Sequence, residues 1–101
     1  MLFNVTLQHS PDNCWGHPEN EGKASELVER LENSEEHGVT VRSAHVAPSE
    51  HTFFLVLESE SFEGLTALLG GALLADHHAD VVPVTTLVGA MDALGIDGEA
   101  R

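Results

Sequence analysis

One short stretch, His9 to His17 (HSPDNCWGH), gathers the residues best suited to chemistry: the only cysteine, Cys14, the only tryptophan, Trp15, and two of the seven histidines. Imidazole nitrogen and thiolate sulfur are borderline-to-soft donors. The spacing H-x4-C-x2-H, with Pro11, Asp12, Asn13 and Gly16 supplying turn chemistry, lets a loop fold back and offer His9, Cys14 and His17 to one ion. Such a set suits zinc, nickel, copper or iron, or a haem, and three protein ligands leave a position for water or substrate. The plainer account of the same residues is a surface loop with a half-buried thiol and solvated imidazoles. Trp15 reads as a lid over the core or a contact with a second copy.

Two more histidines are outer members of the candidate set. His45 could share a polar sheet surface with Thr6, Gln8 and Arg42. His78 belongs to the adjacent pair His77-His78, whose members point opposite ways on an extended chain, so at most one can join His9. The simpler role for that pair is solvation and pairing with Asp76 or Asp80. His37 reads as a cation at a helix C-terminus and His51 as a hairpin-end residue, neither with a functional role. A second kind of chemistry would use Cys14 as a thiolate whose pKa is lowered by His9 or His17. Any resolving thiol would then have to come from another molecule.

The elements that must position these groups follow from periodicity. Leu2 to Gln8 alternates Phe3, Val5 and Leu7 with Asn4, Thr6 and Gln8, the pattern of a strand with one buried face. The candidate loop runs from His9 to about Glu21. Ala24, Leu27, Val28 and Leu31 then recur at helical spacing up to the turn residue Gly38. Glu26 and Arg30 can pair at i, i+4 on that helix. Val39 to Ala47 is rich in β-branched residues, with a change of face between Val41 and Ala44 that predicts a bulge. His51 to Glu58 is the strongest strand, and Pro48-Ser49-Glu50 closes the hairpin between the two. Ser61 caps a helix lined by Phe62, Leu65, Leu68, Leu69, Ala72 and Leu73. Gly70 and Gly71 weaken it by roughly 1 kcal/mol each relative to alanine. A strand from Ala79 to Leu87 carries Pro83, which cannot donate to a central ladder and so predicts an edge position. A short helix from Val88 to Leu94 ends at Gly95, and 96–101 reads as a frayed tail.

This order predicts an α+β fold, ferredoxin-like βαββαβ, with a four-stranded antiparallel sheet, both helices on one face and a short C-terminal helix. A chain of 101 residues with 42% apolar content suffices for one domain, here residues 1–95. Seventeen acidic residues against four basic ones give a formal net charge of -13. That charge repels phosphate backbones and anionic headgroups, which excludes nucleic acid and membrane surfaces as partners. It is what adaptation to high salt looks like, where dense counterions screen the self-repulsion. The opening MLFNVTLQHS lacks a basic residue ahead of its apolar stretch, and Leu65 to Ala75 is about half the ~20 residues a spanning helix needs. The expectation is a cytoplasmic protein.

The element order and lengths, and the sequence from Gly38 through SAHVAPSEHTFFLVLESES to HADVVPVTTL, resemble the small ferredoxin-like proteins of the dimeric α/β-barrel superfamily. The layout is similar to short nickel-binding and uncharacterised members, with a hairpin, a helix and a closing V-x-P-V strand in the same order. The resemblance implies a homodimer in which two sheets pack through their helix-free faces around a ligand or metal cavity. It implies no catalytic residue. The superfamily also includes cofactor-independent oxygenases and isomerases, and in that version His45 or His9 would act as general base over a cavity of Thr6, Gln8, Arg42 and Phe54. An accessory module that only dimerises and binds a partner is a further alternative. The residue pattern itself points to a metal- or small-ligand-binding protein and specifies no reaction.

Overall fold

The computed structural model describes residues 1–96, and the expected frayed end from 97 onward lies outside them. Four strands and three α-helices alternate along the chain: β1 (Leu2–Gln8), α1 (Lys23–Glu32), β2 (Val39–Ala47), β3 (Thr52–Ser59), α2 (Phe62–Asp76), β4 (His78–Val84) and α3 (Leu87–Leu94). The strands form one antiparallel sheet in the order β2-β3-β1-β4. Two crossovers, β1-α1-β2 and β3-α2-β4, are joined by the β2-β3 hairpin, which makes the fold ferredoxin-like βαββαβ.

The core sits between the helices and one face of the sheet. Phe3, Val5 and Leu7 of β1 and Leu55 and Leu57 of β3 are buried against Leu27 of α1 and Leu65, Leu68, Leu69 and Leu73 of α2. Burial of this apolar surface is what holds the layers together. The other face of the sheet, carrying Asn4, Gln8, Phe54 and Val82, is left open. β4 pairs only with β1, so Pro83 lies on an edge strand, as its missing N–H requires. The register of β2 against β3 shifts between Val41 and Ser43, which puts the bulge at Arg42.

Several boundaries differ from the sequence reading, each for a local reason. α1 stops at Glu32 because Asn33 leaves the helical region (φ -104°, ψ 22°), and a 3₁₀ turn, Ser34–His37, completes the path to Gly38. β3 starts at Thr52 because His51 takes a left-handed conformation (φ 51°) at the end of the hairpin turn. β4 ends at Val84 because the Thr86 side chain accepts a hydrogen bond from the Gly89 N–H and starts α3 at Leu87. The largest difference lies within α2, where Gly70 (φ 78°, ψ 158°) breaks the helix. Beside the break, the Leu68 carbonyl accepts from Arg30 Nη1 of α1 at 3.2 Å.

Candidate metal centre

The centre is assembled by continuing three elements one residue past their ends. The ladders stop at Gln8 opposite Thr52 of β3 and His78 of β4. One register step further lies His9, with His51 on one side and His77 on the other. The first pairing persists as a backbone hydrogen bond from His9 N–H to the His51 carbonyl at 3.1 Å. His9 also extends the alternation of Phe3, Val5 and Leu7, so its ring enters the core and is only 7% exposed. His77 caps α2 in an extended conformation (φ -126°, ψ 150°), four residues past the buried Leu73, and is 8% exposed.

The two buried rings meet edge to face, their centroids 4.9 Å apart, with His9 Nδ1 and His77 Nε2 at 3.0 Å. His77 Nδ1 lies 2.8 Å from the Leu73 carbonyl. Trp15 stacks parallel to His9 at 6.3 Å and stands edge-on to His77 at 5.1 Å, while Phe53 closes the group from the sheet. This aromatic enclosure removes water from one side of the site. His9 Nε2 is left buried with no hydrogen-bond partner.

The loop brings the sulfur to the same place. A 3₁₀ turn, Pro11–Asn13, hands the chain to Cys14, whose N–H donates to the Pro11 carbonyl at 3.2 Å. The Cys14 carbonyl accepts from Asn20 Nδ2 at 2.9 Å and from the His17 N–H at 3.1 Å, which braces the loop. Cys14 is a half-buried free thiol, and its Sγ accepts the Gly16 N–H at 3.4 Å. One ligand atom each from His9, Cys14 and His51 lies within 4.8 Å of the other two, close enough to converge on a single ion. Beside them a groove of about 480 Å³ is lined by Gln8, His9, Ser10, Ser49, His51 and His78, among others.

Charge favours a neutral imidazole here. Burial, first, and then the nearby His77 and His51 rings hold His9 below the ordinary histidine range, with Asp76 pulling weakly the other way. Asp76 is held below the usual carboxylate range chiefly by the hydrogen bond from Lys23 Nζ at 2.9 Å, against the opposing effect of burial. The Lys23 charge, His77 and the Trp15 indole N–H add smaller pulls, although that indole reaches no partner in full hydrogen-bond geometry.

Of the residues singled out by sequence, the structure brings His9 and Cys14 together. His17 is exposed, with Nε2 3.0 Å from the Pro11 carbonyl. His45 is exposed on β2 opposite Phe54. His78 is exposed on the open side, 3.5 Å from Asp80 and at the rim of the groove. Of the adjacent pair it is His77 that meets His9. His51, expected only as a hairpin-end residue, faces His9 once the hairpin is closed, and His77, weighed only as one of an adjacent pair, stands four residues past Leu73; both placements follow from register.

No family model matches the chain, and none of the curated proteins matches it. Among solved structures, the chain is similar to the crystal structure of SCO4226 from Streptomyces coelicolor A3(2), at 15% identity and a TM-score of 0.51. The match covers 85% of this chain and all of that one. At this identity the likeness is one of fold, and it agrees with the βαββαβ order traced above.

Proposed function

We propose that the protein binds a transition-metal ion through His9, Cys14 and His51, and presents the remaining coordination position to a small ligand in the adjoining groove. The observation that carries this reading is the buried, unpartnered Nε2 of His9 in a cluster whose ligand atoms lie within 4.8 Å. A buried polar atom without a partner costs about 1–3 kcal/mol, and a metal bond would offset it. Two imidazoles and a thiolate select zinc, nickel, copper or iron over magnesium or calcium. The test is a zinc competition titration on protein purified without chelator. His9→Ala, Cys14→Ser and His51→Ala should each lower affinity at least tenfold, whereas His17→Ala should leave it unchanged. Equal affinity across all four variants would contradict the assignment.

We also propose that the working unit is a homodimer adapted to high salt. The open sheet face exposes Phe54, Val82 and Val84, and α3 buries none of its residues. A short helix that buries none of its residues is marginal in water, and contact with a second copy would stabilise it. The net charge of -13 opposes association in dilute buffer and is screened by salt.

A second reading keeps the same sulfur and drops the ion. The Gly16 N–H lies 3.4 Å from Cys14 Sγ and two imidazoles stand beside it, and in this reading the sulfur would act as a nucleophile. Alkylation of metal-free protein separates the two, since this reading requires Cys14 to react well faster than a free cysteine at pH 7.

A further inference from the structure

Resting on the metal reading above, we propose that His77 is a positioning residue for the site: it locks His9 in the tautomer that carries its proton on Nδ1 and keeps Nε2 bare as the ligand atom. The direction of the lock is set by the end of α2. The last four carbonyls of a helix have no intrahelical partner, and Leu73 is one of those four, since α2 ends at Asp76. His77, the residue that caps this end, satisfies that carbonyl with its own ring at 2.8 Å. A carbonyl oxygen can only accept, so the proton must sit on His77 Nδ1. In a neutral ring that leaves a lone pair on Nε2. The group facing it at 3.0 Å is His9 Nδ1, which must therefore donate. The remaining nitrogen of His9 is Nε2, buried and unpartnered.

The reverse order of protons would set a bare His77 Nδ1 against the Leu73 oxygen, lone pair to lone pair, inside a buried site. Both rings are also held against rotation. Trp15 stands edge-on to His77 at 5.1 Å, and Phe53 lies 5.7 Å from His77 and 6.0 Å from His9. A hydrogen bond on the far nitrogen of a ligand histidine orients the ring and raises its basicity, and losing it costs about 10–100-fold in metal affinity. His77 touches no ion in this account and acts only through His9.

The lock can be read without any metal, by long-range ¹⁵N–¹H correlation of the metal-free full chain at pH 8 in molar KCl. His9 and His77 should both show protonated Nδ1 and bare Nε2. In His77→Phe, which keeps the bulk and removes the acceptor, the His9 tautomer should shift. Zinc affinity should fall about 10–100-fold, and His77→Gln, which can still accept from Nδ1, should restore part of it. A purely structural role for His77 would leave the His9 tautomer unmoved and give no rescue by glutamine. A wild-type His9 with its proton on Nε2 overturns the proposal outright, so the idea remains decidable even if His77→Phe does not fold. The expected tautomers without zinc uptake would support the lock and remove the metal reading. Zinc uptake with the His9 tautomer unchanged in His77→Phe would remove the lock and leave the metal reading standing.

Discussion

At the scale of single residues, the site rests on an imidazole that the fold prefers neutral. His9 is held below the ordinary histidine range by burial and by two neighbouring rings, whereas the unfolded chain takes up its proton near pH 6.5. The unfolded state therefore binds more protons in the window between the lowered folded value and about 6.5, and stability falls as pH drops through that window. Above it this contribution is flat. Denaturation of the metal-free protein from pH 8 to 5 at fixed KCl should show this loss, and His9→Phe should flatten it. Identical slopes in the two proteins would contradict the burial argument.

Asp76 gives a linkage of the same sign at lower pH, because its folded pKa is depressed as well. The stability it contributes is present above its unfolded value of about 3.9 and is lost as pH falls through the lower folded value. The Lys23–Asp76 pair is partly exposed, at 39% and 29%, so Lys23→Met should cost no more than about 1 kcal/mol at pH 7. The cost should vanish once Asp76 is protonated, as read by urea midpoints at the two pH values.

At the scale of elements, the two adjacent glycines of α2 do different work. Gly70 occupies a region of φ, ψ that is essentially reserved for glycine, and a Cβ there would lie 2.9 Å from Arg30 Nη1. Gly71 sits with open space around its Cβ position. Gly70→Ala should therefore destabilise by about 1–3 kcal/mol, while Gly71→Ala should be neutral or stabilising by up to about 1 kcal/mol. Thermal unfolding of the two variants decides it, and equal effects would contradict the break in α2. The sequence pattern could not separate these glycines, because what distinguishes them is a guanidinium from another helix. It did reveal the element order, the edge position of Pro83, the bulge and the Ser61 cap, all of which follow from local chemistry. His9 and Cys14 were legible as donors for the same reason. His51 and His77 were not, because their value depends on register: only when both ladders are extended past Gln8 do three histidines fall in one row across the sheet end.

At the scale of the whole molecule, the proposed dimer and its salt dependence rest on charge. Among the described residues, Lys23, Arg30 and Arg42 each face a carboxylate, of Asp76, Glu26 and Glu58 respectively. These three cations meet three of the carboxylates of a chain whose formal net charge is -13. Sedimentation from 0.1 to 3 M KCl should show the apparent mass rising from monomer to dimer, with the melting temperature rising alongside. A monomer at all salt concentrations would contradict the docking of two open sheet faces. No helix among the described residues is long and apolar enough to cross a membrane.

In the proposed centre, one sulfur and two imidazole nitrogens of this chain meet on a single ion. X-ray absorption at the zinc edge of the loaded protein reads that directly. The spectrum should show one sulfur at about 2.3 Å and two imidazole nitrogens at about 2.0–2.1 Å, with the sulfur shell lost in Cys14→Ser. Zinc surrounded by oxygen and nitrogen alone in the wild-type protein would contradict it.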